Sequence, residues 1–352
     1  MCGIAGWIDY KNNIKDNNQI FEKMSKTLEN RGPDEGGMYI ESGAALIHRR
    51  LSVIDIENGK QPMIRTADGN KYVLIYNGEL YNALELRNEL LEYGYEFCGH
   101  CDTEVLLYSY MQWKDSCVDR LNGIYAFAVW DEKNQNLFIA RDRMGVKPFF
   151  YHHYSDVLIF GSEIKTLLAH PNVRHDVDTD GVLDIMLIGP GRTPGTTAFK
   201  NIIELERGFC GNFNKDGLKI YRYWNIEAAN HPHNLDDTIE HTKELVTDAI
   251  KRQLVSDVPI CSFLSGGLDS SIISNLASIK LKEEGSILDT FSVNYTDNDK
   301  HFTKSTFQPD SDDEWIIKMC AFMGSNHRDD YLDNNDLADS LYDETLARDL
   351  PG

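Results

Sequence analysis

Cys2 lies directly behind Met1 in the opening stretch MCGIAGWIDY. Aminopeptidases normally remove Met before a small residue, and that removal would put a free α-amine and a thiol on one residue. An α-amine has a reference pKa of about 7.7–8.0, so near neutrality part of it is unprotonated and can take the thiol proton. One residue would then supply nucleophile and base, the N-terminal-nucleophile form of covalent catalysis. Two plainer readings compete with it. Cys2 can be one more buried residue of a strand through Ile4, Ala5, Trp7 and Ile8. A lipidated cysteine is the other, and it needs an apolar signal segment ahead of it.

The stretch SFLSGGLDSS, residues 262–271, offers a different chemistry. An apolar run leads into it and a helical pattern follows, so it joins a strand to a helix through two glycines. At such a junction the first N–H groups of the helix and its dipole face outward and favour anions. Gly266 and Gly267 let the backbone approach a phosphate, while Ser265, Ser270 and Ser271 can donate to its oxygens. No lysine follows the glycines, so this is not the GxxxxGK[ST] loop. Asp269 suits a phosphate-bound Mg²⁺ rather than the phosphate itself.

Other polar groups are weaker signals taken singly. RGPDEGG (31–37) reads as a glycine-rich turn and HRRLSVID (48–55) as a strand end with solvated arginines. Asn77-Gly78 in YNGELYN is a common hairpin-turn pair, and Asp102 in CGHCDTE a default helix cap. The CxxC of that segment lacks both a second metal pair and a redox context. His231 and His233 lack cysteine or carboxylate partners at ligand spacing. The run at Asp297, Asn298 and Asp299 has Phe302 and Gln308 where a calcium loop needs Gly and Glu, so no protein-held metal is expected.

Positioning these groups takes more than one core, because 352 residues exceed what a single ordinary domain spans. Residues 1–235 carry 25 Lys and Arg against 32 Asp and Glu, whereas residues 236–352 carry 10 against 24. That shift, with the polar stretch NIEAANHPHNLDD at the change, predicts a domain over 1–225, a linker over 226–235 and a second domain over 236–352. Apolar runs such as YVLIY, YAFAVW, NLFIA and VLIFG alternate with the helical patterns QIFEKMSKTLEN and ALELRNELLEYG, which predicts a layered α+β domain. After the linker, Leu235, Ile239, Val246, Ile250 and Leu254 fall near one helical face. VPICSFLS, a buried-strand candidate, then SSIISNLASIKLKEE and ILDTFSVNY spell a β–α–β unit and a parallel sheet. The net charge of −21 excludes a basic nucleic-acid surface. No apolar run reaches membrane length, and seven scattered cysteines suit a reducing cytoplasm.

In order along the chain, MCGIAGW, RGPDEGG, HRRLSVID, GKQPM, YNGELYN, CDTEVLL, LNGIYAFAVWD, RDRMGVKPFFY and FGSEIKTLLAHP resemble the class II glutamine amidotransferase domain. Joined to LSGGLDSS, they resemble the glutamine-dependent asparagine synthetase family across essentially the whole chain. The resemblance implies an α+β N-terminal-nucleophile αββα sandwich followed by a partial α/β parallel-sheet ATP-pyrophosphatase domain. It implies that Cys2 attacks the glutamine amide and that Asn77 and Gly78 form the oxyanion hole. Arg50 would then take the substrate α-carboxylate and Asp102 its α-ammonium, with Glu79 and the backbone around Leu51, Val53 and Ile54 completing the cradle. Leu264, Leu268 and Val293 would line the nucleotide beside the phosphate loop Ser265, Gly266, Gly267, Asp269, Ser270 and Ser271. Glutamine, aspartate and ATP with Mg²⁺ are the implied substrates, with no tightly bound cofactor; a homodimer is compatible with the resemblance. The family's synthetase half continues past LARDLPG, so residues 236–352 are expected to be marginally stable and unable to make asparagine alone. A stand-alone glutaminase, a β-lactam-forming relative and a non-catalytic binding remnant are the alternatives.

Overall fold

The computed structural model describes residues 1–188, 193–297, 300 and 312–350. It divides into one unit of Met1–Ala228 with Thr345–Gly352 and another of Ala229–Glu344. The sequence reading kept 236–352 together. The closing residues leave that group because buried Leu350 joins the first unit's core and Lys165 binds Asp349 and the Leu346 carbonyl.

The first unit is built on two six-stranded antiparallel sheets. Its strands are β1 (Gly3–Asp9), β2 (Glu35–Ile40), β3 (Ala44–Arg50), β4 (Met63–Ala67), β5 (Asn70–Leu80), β6 (Gly123–Asp131), β7 (Asn136–Arg141), β8 (Phe150–Tyr154), β9 (Val157–Gly161), β10 (Ile203–Glu204), β11 (Phe209–Asn214) and β12 (Gly217–Arg222). One sheet has the order β10-β8-β9-β1-β3-β2, the other β12-β11-β7-β6-β5-β4. Its helices include α1 (Asn18–Lys26), α2 (Ala83–Glu92) and α3 (Asp102–Trp113), then the short α4 (Cys117–Arg120) and α5 (Ile164–Leu168), and α6 (Thr179–Ile188).

Strand alternation sorts the side chains into three apolar layers. Ile4 and Ile8 of β1, Val73 and Ile75 of β5, and Ala126, Ala128 and Trp130 of β6 meet between the sheets. The intervening Ala5 and Trp7 face outward against Phe21 and Met24 of α1 and Leu167 of α5. Leu74, Tyr76, Phe127 and Val129 face the opposite way, against Leu86 of α2 and Val105 and Leu106 of α3. The unit is therefore an αββα sandwich. Both faces of its central strands are covered, which is why YVLIY and YAFAVW read as unbroken apolar runs rather than alternating ones.

Asn77-Gly78 is not a turn. It lies inside the eleven-residue β5, paired with Ala126 and Tyr125 of β6. The hairpin before it turns at Asp68-Gly69, both at positive φ (51° and 69°), where a glycine meets no steric penalty.

The second unit runs α7 (Leu235–Arg252), β13 (Cys261–Phe263), α8 (Leu268–Glu283), β14 (Asp289–Tyr295), α9 (Asp313–Met323), β15 (Asn326–Leu332) and α10 (Asn334–Arg348), the last crossing into the first unit's closing segment. The three strands form one parallel sheet in the order β13-β14-β15. Its core is small: Leu254, Ala277 and Leu288 in one cluster, Leu264, Ile316 and Met323 in another. β13 is not the buried strand expected, because it is an edge strand with Phe263 74% exposed. Leu235, Ile239 and Val246 of α7 are also exposed. Most of the segment read for a calcium loop, including Asn298, Asp299, Phe302 and Gln308, lies outside the described residues.

Phe160 tests the inter-sheet layer. It is fully buried, stacked on Phe149 with ring centroids 5.3 Å apart, and its ring fills the space that a Cβ on Gly6 would occupy. Phe160→Ala should destabilise the protein by about 3–5 kcal/mol, measured by urea unfolding.

Candidate active site

Cys2 immediately precedes β1. Its Sγ–H points at the Leu51 carbonyl (3.7 Å), and its own carbonyl accepts from Arg31 Nε (3.0 Å). The Ile4 N–H is held by Ser162 Oγ at 3.0 Å, and Gly3 packs so closely on Leu28 that a Cβ would sit 2.9 Å from it. The nucleophile candidate is thus fixed from both sides by backbone contacts. Burial pushes the Cys2 thiol above its ordinary pKa and lowers that of the Met1 α-amine that precedes it. Desolvation disfavours the charged form of each.

Cys2 shares a cleft with Arg50, Leu51, Val53, Ile54, Asn77, Gly78, Glu79 and Asp102, so every residue expected of the glutamine site lies in one place. The central element is β5. Its pairing with β4 ends at Leu74, while its pairing with β6 runs on to Leu80. Past Leu74 the outer edge needs side-chain partners. Tyr76 N–H donates to Gln61 Oε1 (2.6 Å) and Leu80 N–H to Asp102 Oδ2 (3.0 Å). Strand N–H groups leave the same edge at every second residue. The Gly78 N–H therefore leaves that edge between them. Asn77 continues the row of Val73 and Ile75, and its buried Nδ2 finds no acceptor among the described residues.

Asp102 opens α3 but does not cap it; the side chain turns to β5 instead. Its Oδ2 also accepts from Tyr76 Oη at 2.9 Å, and burial raises its carboxyl to about 6 despite these bonds. Arg50 is buried and already engaged. Its terminal nitrogens donate to the carbonyls of Ile54 (3.1 Å), Asp55 (2.8 Å) and Ile56 (2.8 Å) and to Glu35 (3.3 Å). Arg50 therefore shapes the 51–56 loop, and a substrate carboxylate can reach it only through Nε or by exchange for one of these acceptors. Asp34 adds a bond to the Ser52 N–H at 2.7 Å.

Four participants were not singled out from the sequence. Gln61 clamps both sides of Tyr76, and His48 Nε2 reaches the same Tyr76 carbonyl at 3.0 Å. Burial lowers the His48 imidazole to about 3, so it stays neutral. Arg31 holds Cys2. Lys147 lines the cleft, buried, on the loop after β7. All four lay in stretches that carried the resemblance, RGPDEGG for Arg31, HRRLSVID for His48, GKQPM for Gln61 and RDRMGVKPFFY for Lys147, but read singly the first two were an ordinary turn and a strand end and the others drew no reading.

In the second unit the predicted loop does join a strand to a helix. Gly267 is the N-cap of α8, and Gly266 sits at φ 74° with its α-carbon against the Asp312 carbonyl, where a side chain would collide. Ser265 N–H and Oγ meet Ser270 Oγ at 3.2 and 3.0 Å, and Ser271 Oγ donates to the Gly267 carbonyl. Leu268 is exposed and Val293 half-exposed on β14, but Leu264 is buried against Ile316 and Met323. The Leu264 side chain thus packs beneath the loop. Among the described residues no cluster of His, Cys, Asp or Glu could hold a metal, and no helix is long and apolar enough to cross a membrane.

The glutamine amidotransferase domain family matches residues 1–224. The chain belongs to that family. The asparagine synthase family matches residues 241–352. Asparagine synthetase [glutamine-hydrolyzing] 3 of Bacillus subtilis is 50% identical over 353 residues, covering 100% of this chain and 58% of the relative. Putative asparagine synthetase [glutamine-hydrolyzing] 2 of Methanocaldococcus jannaschii is 34% identical over 317 residues, covering 84% of this chain and 60% of the relative. The chain thus spans about three fifths of the length of these two curated relatives. Among solved structures, the glutamine phosphoribosylpyrophosphate amidotransferase of B. subtilis in complex with ADP and GMP aligns over 94% of this chain and 81% of its own. Its identity is 17% and its TM-score 0.47, too loose a likeness to bear weight.

The amidotransferase unit's Asp102 makes a stability prediction. A folded-state pKa near 6, above the unfolded value of about 3.9, means the fold favours the protonated form. That contribution is full below about 4 and is lost as pH rises through 6. Asn is neutral throughout and keeps the acceptor for Leu80 and Tyr76. Asp102→Asn should therefore gain about 2–3 kcal/mol on wild type between pH 4 and pH 7, read from urea unfolding at both pH values.

Proposed function

We propose that the first unit hydrolyses glutamine to glutamate and ammonia, with Cys2 as nucleophile once Met1 is removed. The observation that carries this reading is the pair of donors in the cleft with Cys2: the Asn77 amide, without an acceptor among the described residues, and the Gly78 N–H on the open edge of β5. They are a side-chain and a backbone donor held rigidly in a cleft, the arrangement that stabilises a developing oxyanion. The α-amine takes the Sγ proton as sulfur attacks the amide carbon. It then returns that proton to the departing ammonia, leaving a thioester. Water, deprotonated by the same amine, releases glutamate and restores the thiol. Asp102, with Glu79 beside it, receives the substrate ammonium. Arg50 and the Leu51, Val53 and Ile54 backbone receive its carboxylate.

The whole protein, on this reading, passes ammonia to aspartate activated as its adenylate, with Mg-ATP as a substrate and no tightly bound cofactor. Support comes from the Ser265–Gly267 turn at the N-terminus of α8 and from the names of the relatives. Ser265, Ser270 and Ser271 would meet the phosphates, Asp269 the Mg²⁺, and Val293 with Leu268 the nucleoside. The functional division is 1–225, a 226–235 linker and 236–352. Seven free cysteines fit a cytoplasmic protein, and a net charge of −21 gives no reason to expect nucleic acid. A homodimer remains compatible with the reading.

Cys2→Ala should abolish glutamate release while leaving the unfolding transition in place; residual turnover near wild type refutes the assignment. Asn77→Ala should lower kcat by about 10²–10³-fold, the usual cost of one oxyanion donor. Arg50→Ala and Asp102→Asn should instead act mainly on KM. Each lost charge-assisted contact is worth about 1.5–3 kcal/mol, or roughly ten- to a hundredfold. Steady-state glutamine hydrolysis separates the two classes.

A further inference from the structure

Lys147 is a buried lysine whose pKa is lowered by burial, with the charge of Glu79 the main influence opposing that shift. Its residue is 5% exposed, and its Nζ contacts the Met1 Sδ at 3.1 Å. No carboxylate closes an ion pair with it among the described residues. Its neighbours make that placement deliberate. The Lys147 N–H donates to Asp142 Oδ2 (3.0 Å) and its carbonyl accepts from Arg141 Nε (2.8 Å). Asp142, itself fully buried, also takes the N–H groups of Met144 and Val146 at 3.0 Å each. The loop is thus locked on the backbone side, and the ammonium is left in the cleft shared by Met1 and Cys2. An unpaired buried charge is costly, so structure that holds one in a cleft is a candidate for a working part of the site.

We propose that the Lys147 ammonium holds the α-amine freed at Cys2 in its neutral, base-competent form. The proposal rests on Cys2 being the nucleophile. Lys147 is then a positioning residue, acting through the field it imposes on the amine and not by touching substrate. Two like charges in a dry cleft repel, so protonation of the amine costs more with Lys147 beside it. The other charged groups around the terminus are Arg31 and Asp34 from the segment after α1 and the Cys2 thiol itself, with Arg50, Glu79 and Asp102 lining the rest of the cleft. Arg31 is occupied by Glu163 at 3.2 Å, which offsets its charge; Lys147 has no such partner. With Met1 still in place, the Met1 α-amine one residue away feels the same groups: burial lowers its pKa, Cys2 and Asp34 oppose that shift, and Arg31 and Lys147 add to it. When Met1 leaves, the sulfur contact of Lys147 leaves with it.

The test is the pH profile of kcat/KM for glutamine hydrolysis. Each variant is produced behind a cleavable leader so that it starts at Cys2. The acid limb should move up by about one pH unit in Lys147→Met and Lys147→Gln, because an amine relieved of repulsion stays protonated longer. Rates should converge with wild type at alkaline pH, and Lys147→Arg, which keeps the charge, should leave the limb in place. Trace acetylation of the terminal amine in Cys2→Ala protein, with and without Lys147→Gln, reads the same titration without catalysis and should show the same upward shift. A uniform loss of rate with an unmoved limb, or an amine titration unchanged by Lys147→Gln, overturns the proposal and leaves the glutaminase reading standing. A wild-type protein starting at Cys2 that hydrolyses no glutamine overturns both.

Discussion

Beyond Leu74 the outer edge of β5 has no partner strand among the described residues, and its N–H groups have to be satisfied one at a time. Gln61 takes Tyr76 and Asp102 takes Leu80, each at close range. What is left is a single backbone donor at Gly78, next to an amide nitrogen that finds no acceptor among the described residues. An open strand edge is ordinarily a hazard, since it invites pairing with another chain. Here two side chains block that pairing, and the residual donor faces a cleft. The rest of the site is arranged around that edge: β1 delivers Cys2 to it, and α3 delivers Asp102.

The buried charges around this edge show a common device. Arg50, Asp55, Asp142 and Arg141 each bind several backbone groups of a loop, and Arg50 and Arg141 pair in addition with Glu35 and Glu204. Asp55 Oδ2, for instance, takes the N–H groups of His100 and Cys101, tying the loop before α3 to the loop after β3. A charged group that collects backbone bonds is fully solvated by the protein, so burial is tolerated. It also fixes the loop, because losing any one bond leaves a polar group stranded in the interior. Asp102 is the exception in having one oxygen committed and a raised pKa, and Lys147 in closing no ion pair with a carboxylate among the described residues. Those two are the charges free to respond to a ligand or a proton.

The second unit follows a different logic. Its functional candidate is a backbone feature, the strand-to-helix turn at Ser265, Gly266 and Gly267, where helix N–H groups need no charged side chain to favour an anion. The serines bond to one another and to Gly267 rather than to anything outside the loop. Its core is small, and apolar residues on β13 and α7 are exposed.

The sequence by itself settled what depends on composition and periodicity. The long apolar runs marked strands covered on both faces, the four-residue spacing of Ile20, Met24 and Leu28 marked α1, and glycines between a strand and a helix marked the loop at residues 265–271. The ordered set of motifs then drew Cys2, Arg50, Asn77, Gly78 and Asp102 together by resemblance, and the fold brings all five to one cleft. Local rules alone misread two of them. Asn77-Gly78 looks like a turn because turn propensity is local, whereas pairing with Ala126 and Tyr125, some fifty residues away, makes it strand. Asp102 looks like a cap because it precedes a helical run, whereas the nearby Leu80 N–H offers a better partner in the folded state. Lys147, Gln61 and His48 lay inside motifs that carried the resemblance but were given no role of their own, since a lysine in a loop or a glutamine before a proline is ordinarily solvated. Only long-range packing removes water from them, and it is the loss of water that turns a common side chain into part of a site.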